Sequence, residues 1–348
     1  MRPLRILLVA NADRRRAQGR WFGTEYKLRN GLARAGHMVL MYSDRDRARE
    51  LSPLPGKRFG IGRMNAELRG TARHFAPDIV LFGHADLCGA EDFRALRIAV
   101  PGVRLAQFCV DATFRGRTMA GFAARSREMD ASFLTTCDAA ALAPYEPKAG
   151  TVHYMPNPVD PSMETARVFD APADALAWDG LFLGTGIERR GEQLAALAAA
   201  LPPGYRFHYG GRARGEAPMV STAFLDALTT GAACPLLPLD DTRPCAHLYA
   251  SDRVAQVTGQ GVLAFCHASA GLSALYEDGI VEWDTRAMLA EAMARYGRDD
   301  AARRRVAQTG WRLAHERMSA TIIAGVMVET IMGGGATGRH AWPTGPFI

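Results

Sequence analysis

Two acidic residues and a histidine stand just past short apolar runs in the first half of the chain. DIVLFGHAD ends in His84 and Asp86, and LAQFCVDAT brings up Asp111. A carboxylate or imidazole at a strand end can take a proton from a hydroxyl, so Asp111 is the first candidate for a general base and His84 the second. The second half offers a different chemistry. LFLGTGIERR follows an apolar run with Gly184 and Gly186 and then presents Arg189 and Arg190. HYGGRARG repeats the device at Gly210 and Gly211, and YASDRVAQVTGQGVLAF opens a helix on Ser251, Asp252 and Arg253. Glycine lets a ligand approach the backbone, a helix start presents N–H groups and a partial positive charge, and arginine adds a full charge. Together these residue types suit a diphosphate. For each stretch the plain structural alternative is an ordinary capped helix or a tight turn.

A third group is basic. NADRRRAQGRWFG places Arg14, Arg15, Arg16 and Arg20 beside Trp21, and GKRFGIGR (56–63) adds three more cations around Phe59. Guanidinium groups grip carboxylates and phosphates in two-pronged fashion, although a solvated loop would look the same. The balance of charge favours a partner. Residues 1–158 hold 25 Lys+Arg against 15 Asp+Glu, and residues 159–348 hold 17 against 21. The expected partner of this half is therefore anionic. No nucleic-acid-binding module is visible, so nucleic acid is not the expected partner. The loop after the first apolar run lacks the GxGxxG fingerprint, which counts against a nicotinamide or flavin enzyme and leaves no cofactor implied.

The elements that must position these residues follow from the apolar pattern. The 348 residues are enough for two domains, and 48% hydrophobic with 22% charged is ordinary for a soluble globular protein. Residues 4–10 read as a buried first strand and not as a signal peptide, because NADRRR follows at once. Strands over Met38–Tyr42, Ile79–Phe82, Val103–Val110, Ser132–Thr135 and Val152–Met155 alternate with helices over Thr24–Ala35, Asn65–Phe75, Glu91–Ala99 and Thr118–Arg127. This rhythm predicts a parallel sheet wrapped by helices. MPNPVDP (155–161) sets three prolines in seven residues and marks a domain boundary. The rhythm then restarts with Gly180–Leu183 and runs through strands at Arg206–Tyr209, Leu236–Leu237 and Val262–Phe265 to a last helix near Ser319–Ile331. Residues 1–158 and 159–332 are the expected domains, and the Gly- and Pro-rich residues 333–348 a mobile or surface-draped tail. None of the six cysteines forms a CxxC pair or a zinc-finger spacing, so reduced thiols in a cytoplasmic protein are expected and no metal motif is read.

The order of LFLGTGIERR, YASDRVAQVTGQGVLAF, AGLSALYEDGIVEWD and RDDAARRRVAQTGWRLAHERMS resembles the GT-B glycosyltransferases, and within them the branch of the spore maturation protein CgeB. MPNPVDP is similar to the interdomain segment of many such enzymes, and PDIVLFGHAD to one of their strand ends. The resemblance covers most of residues 78–320. It implies an α/β fold of two Rossmann-like domains, an N-terminal acceptor domain and a C-terminal nucleotide-sugar domain, with transfer that needs no metal. It also implies donor contacts from Gly184, Gly186, Arg189, Gly211, Ser251, Asp252, Arg253 and Gln256. Set in that fold, the charge balance predicts an anionic acceptor, a phosphorylated or acidic glycan or a lipid-linked one at the cytoplasmic face of a membrane, held by Arg14, Arg15, Arg16, Arg20 and Trp21, and the strand-end positions predict catalysis by Asp111 and His84. One departure stands out. Many retaining members carry two glutamates eight positions apart, and Leu248 and Gln256 occupy those places, which leaves the stereochemistry open. A non-catalytic nucleotide-sugar-binding protein and a sugar-nucleotide epimerase of the same fold are the alternatives.

Overall fold

In the computed structural model residues 2–13, 21–84, 86–145, 151–184, 189–217, 219, 221–236, 246–334 and 340–347 are described. The chain divides into two units, residues 1–158 with 320–348 and residues 159–319. The break falls inside the proline-rich segment, where the fixed proline φ angles and missing N–H groups end the strand pattern.

The first unit is built on six strands, β1 (Arg5–Val9), β2 (Met38–Tyr42), β3 (Ile79–Gly83), β4 (Arg104–Cys109), β5 (Ala131–Leu134) and β6 (Val152–Tyr154). All five pairings are parallel, in the order β2-β1-β3-β4-β5-β6. Parallel neighbours need crossovers, and the helices α1 (Thr24–Arg34), α2 (Asp44–Glu50), α3 (Ile61–Phe75), α4 (Ala90–Ala99), α5 (Gly116–Ser126) and α6 (Ala139–Leu142) supply them. Leu7, Val9, Val80, Phe82 and Leu105 pack with Met64 and Leu68 of α3 and Phe93 and Leu96 of α4. Cys109, Leu134 and Val152 pack with Met119 and Phe122 of α5. The helix α2 is absent from the sequence reading because DRDRARE has no apolar stripe to give it a period. It is held instead by polar contacts: Ser43 Oγ donates to Asp46 Oδ2 at 2.6 Å, and Arg47 pairs with Glu50 and Glu67.

The second unit carries β7 (Gly180–Leu183), α7 (Arg190–Ala200), β8 (Phe207–Gly210), α8 (Thr222–Leu228), β9 (Ala233–Leu236), α9 (Asp252–Gly259), β10 (Leu263–His267), α10 (Ser273–Tyr276), β11 (Val281–Trp283), α11 (Arg286–Arg298) and α12 (Asp300–Arg317). Strands β7 and β8 pair in parallel, as do β9, β10 and β11, and a parallel bridge between Trp178 and Gly231 joins the two sets. Its core gathers Leu263 and Phe265 of β10 with Leu197, Leu289, Met293 and Ala307 from the helices. Strand β9 begins three residues earlier than the sequence pattern places it, because Pro235 reads as a break although it sits within the strand.

The last helix, α13 (Ala320–Ile331), differs from expectation in its partner. It belongs to the first unit, where it packs on α1, β4 and β5. Its sequence ATIIAGVMVETI is almost wholly apolar, as a helix covered on most sides must be. The tail is also placed: Phe347 N donates to Val152 O at 2.9 Å, and His153 and Pro346 form an antiparallel bridge, so residues 340–347 lie along the β6 edge. Gly31 fixes how closely α1 meets α13, because a Cβ there would overlap the Ala320 carbonyl. Gly31→Ala should therefore force the helices apart and cost about 1–3 kcal/mol, the usual penalty of overpacking. Denaturant titration of the variant is the check, and an unchanged midpoint would show that the contact yields freely.

Candidate functional site

Ligands of open α/β sheets bind beyond the carboxyl ends of the strands, where the order reverses. In the first unit that point lies between β1 and β3. His84 follows β3 directly, and its backbone is left-handed, with φ of 50°. Asp13, beyond β1, is left-handed too, at 49°. Non-glycine residues in this region are strained and concentrate where a side chain must be aimed. Asp111 stands two residues past β4. Arg115 Nη1 donates to its Oδ1 at 2.9 Å, and its Oδ2 lies 3.7 Å from His84 Nδ1. The two expected catalytic residues are thus neighbours, and both remain partly exposed. Farther along the same edge, past β5, Thr135 and Thr136 are fully buried, and no hydrogen-bond partner of either hydroxyl is found among the described residues. These threonines carry no signal in the sequence, since a hydroxyl after an apolar run is common.

Asp86 points elsewhere. Arg45 Nη2 meets its Oδ1 at 3.0 Å and Lys57 Nζ its Oδ2 at 3.4 Å. Burial pushes the Asp86 carboxyl up, but Arg45 and Lys57 outweigh it and hold the group below its ordinary value. One of the basic residues of 56–63 is therefore spent on an internal pair. Phe59 is exposed, and Trp21 is half-exposed with its ring 5.5 Å from Tyr26. Arg14, Arg15, Arg16 and Arg20 lie outside the described residues.

In the second unit two strand ends and one helix start converge. A guanidinium occupies the centre: Arg253, in the first turn of α9, lies over the Phe182 ring with its Cζ 4.7 Å from the centroid. Gly184 lets it in, because a Cβ there would come within 2.6 Å of Arg253 Nη2. Gly211, left-handed with φ of 74°, brings its own backbone against Gly184 in the same way. The glycines expected to admit a ligand thus admit an arginine first. Arg253 Nε is buried, and no hydrogen-bond partner for it is found among the described residues. Arg190 also faces Phe182, with Cζ 5.6 Å from the ring, and is nearly buried. Arg189 turns out to solvent and pairs with Glu192 at 2.8 Å. Of the two arginines, the one nearer the site is the one not chosen from sequence. The chain gave no means to rank adjacent residues without a helix phase.

Ser251 is the N-cap of α9 by backbone geometry, but its hydroxyl makes no capping hydrogen bond. The helix start is therefore not closed by its own side chain, which leaves room for an anion. Asp252 is exposed and Gln256 is buried one turn on. Gly259 and Gly261 serve packing: a Cβ at Gly259 would strike Glu164 and Val159, and one at Gly261 would strike Phe169. Gly186 lies outside the described residues.

The sequence matches no protein-family model and no curated protein. Solved structures do match. Sucrose-phosphate synthase from Thermosynechococcus elongatus is 13% identical at a TM-score of 0.64, covering 95% of this chain and 98% of that one. HepE of Anabaena, in complex with UDP and glucose, is 11% identical at 0.62, over 95% and 100%. A UDP-forming α,α-trehalose-phosphate synthase from Burkholderia xenovorans, in complex with glucose-6-phosphate, is 13% identical at 0.57, over 94% and 100%. The fold is that of the GT-B glycosyltransferases.

The edge of the first unit also holds a buried acid. Asp44, at the start of α2, accepts from Arg45 N at 2.7 Å, and burial pushes its carboxyl up to about 6 from 3.8. The unfolded chain ionises first as pH rises, so this group withdraws stability between about pH 4 and pH 6 and withdraws no more above that. At 1.36 kcal/mol per pH unit the loss is about 3 kcal/mol. Urea titrations of wild type and Asp44→Asn across pH 4 to 7 should diverge by this amount, with the variant gaining. Parallel curves would place Asp44 in water.

Proposed function

We propose that the chain is a glycosyltransferase that moves a sugar from a nucleotide-sugar donor to an acceptor hydroxyl. The observation that carries this reading is the Arg253 guanidinium, held over Phe182 at an open helix start with its Nε unpartnered. Arg253 is half-buried, and its buried Nε left without an acceptor is costly; a diphosphate at the exposed side of the guanidinium would answer its charge. The names of several similar structures mention UDP or UDP-glucose, which supports the same donor class. In this reading Gly184, Gly186, Gly211, Ser251 and Arg253 receive the diphosphate, with Arg190 adding charge, while Asp252, Gln256 and Arg189 contact the rest of the donor. The diphosphate then needs no metal, because Arg253 and the helix dipole meet its charge.

Transfer forms a bond from the acceptor oxygen to the anomeric carbon and breaks that carbon's bond to phosphate. Asp111 accepts the hydroxyl proton, and the leaving diphosphate takes the bonding electrons. Arg115 holds one oxygen of Asp111 and leaves the other, beside His84, for the proton. His84 contacts the donor sugar or shares the base's role. The proposed acceptor is an anionic or lipid-linked glycan of the kind used in cell-surface polysaccharide synthesis, at the cytoplasmic face of the membrane. The 25-to-15 excess of cations over residues 1–158 and the exposed Trp21 and Phe59 support it. The ordered motifs over residues 245–320 support a place in the CgeB-like branch.

Calorimetric titration with UDP and UDP-glucose tests the donor seat. Arg253→Ala should bind about 1.5–3 kcal/mol more weakly, the range for hydrogen bonds to charged groups. Wild-type affinity in the variant would remove the diphosphate from this site. For the base, Asp111→Asn should slow transfer by about 10²–10⁴ while donor affinity survives. A variant at full speed would return the proton to another group.

A further inference from the structure

His84, Asp111 and the buried Cys109 at the end of β4 form a cluster with no role for the cysteine in sugar transfer. One donor atom from each lies within 4.8 Å of the others, and no other such set of three occurs among the described residues. We propose that these three side chains bind a thiophilic divalent cation of the zinc type, with one coordination position left open.

The spacing is the first argument. Zinc takes nitrogen and oxygen at about 2.0–2.2 Å and sulfur at about 2.3 Å, so two ligands of a tetrahedral ion stand about 3.3–3.7 Å apart. His84 Nδ1 and Asp111 Oδ2 stand 3.7 Å apart, too far for a hydrogen bond and about 0.1 Å beyond the span of a nitrogen and an oxygen on one ion, so a small inward shift of the ligands closes the site. The donor set is the second argument. One imidazole, one thiol and one carboxylate match the three-ligand pattern that keeps an open site. The support around the ligands is the third. Arg115 Nη1 binds Asp111 Oδ1 at 2.9 Å and so turns the other oxygen toward His84. The left-handed backbone of His84 aims its ring from the end of β3, and Cys109 ends β4, so rigid elements carry two of the three ligands.

The thiol explains why the site is not read from sequence and what the ion must do. Burial pushes Cys109 up to about 12, and a bound ion displaces that proton outright. The hydrogen bond from the Asp111 backbone favours loss of the proton, the Asp111 charge opposes it, and Arg125 and Arg115 favour it. The same two arginines repel the ion, so affinity falls below that of a set without them. Binding stands apart from the transferase reading. One consequence rests on that reading: an ion on Asp111 Oδ2 blocks the lone pair that would take the acceptor proton, so the loaded protein transfers slowly.

Titration of the full chain with Co²⁺ after chelation, followed by Zn²⁺, tests the site. The expected result is one tightly bound Co²⁺ per chain with a thiolate-to-metal charge-transfer band, abolished by Zn²⁺. Cys109→Ser should lose the band. Asp111→Asn and His84→Asn should keep a folded core and bind at least tenfold more weakly, asparagine being tolerant of the left-handed backbone at 84. If wild type shows no stoichiometric band, or folded Cys109→Ser retains it, the assignment is overturned. Should Cys109→Ser fail to fold, unchanged affinity in both other variants overturns it equally. An ion bound as expected, with transfer unaltered, supports the site and removes Asp111 as the base.

Discussion

Parallel pairing obliges each strand to be followed by a crossover, and each crossover returns the chain to the same starting edge. All carboxyl ends of a sheet therefore face one way. In the first unit this single constraint puts Asn11, His84, Asp111 and Thr135 on one edge although they are scattered over more than a hundred positions. In the second it brings Gly184, Gly211 and the start of α9 together. Neither site needs a long-range sequence signal, since the sheet makes the neighbourhood and the loops need only supply the right atoms.

The two edges spend their freedom differently. At β7 the chain removes side chains: Gly184 and Gly211 bring backbone against backbone, and the vacated space takes the guanidinium of Arg253. The arginine is then desolvated on one face by Phe182, which strengthens its attraction to an anion because the local dielectric is low. At β3 and β4 the chain keeps its side chains and strains the backbone instead, turning His84 through a left-handed residue toward Asp111. An open cationic seat suits a group already charged on arrival. A histidine–carboxylate pair suits a proton or a cation that has to be exchanged.

Much of this was legible in the sequence where physics is local. The continuous apolar runs of Arg5–Val9 and Ile79–Gly83, buried on both faces, and the prolines at 155–161 each act within a few residues, and the strands and the boundary follow from them. What could not be read acts at a distance. The helix α2 has no apolar face and is made by Ser43, Asp46 and the Arg47–Glu67 pair. The apolar α13 declares that it is buried but not against which unit. Its partner is decided by Gly31, nearly three hundred residues earlier. At the sites, Arg190 and Arg189 are equivalent as letters, and only the phase of α7 makes one buried and the other exposed. Gly259 and Gly261 resemble ligand glycines in sequence, yet Glu164 and Phe169 occupy the space they leave.

Cys109 shows how one residue type can hide its chemistry. It ends β4 among Met119, Phe122 and Leu134, and by that company it is a small apolar filler. Its parity along the strand is the same as that of Asp111 two residues on, so the sulfur faces the side on which the carboxylate stands. A small apolar residue would serve the core as well, but it would leave the His84 ring and the free oxygen of Asp111 facing each other at a distance too long to bond, with no third ligand beside them. The pair is held apart by elements on both sides: the left-handed turn at 84 fixes the ring, and Arg115 fixes the carboxylate. A gap kept open between two such groups costs interaction energy unless something enters it. A proton in transit or a bound cation are the two occupants whose charge answers the carboxylate, and the thiol beside them tips the chemistry toward the cation.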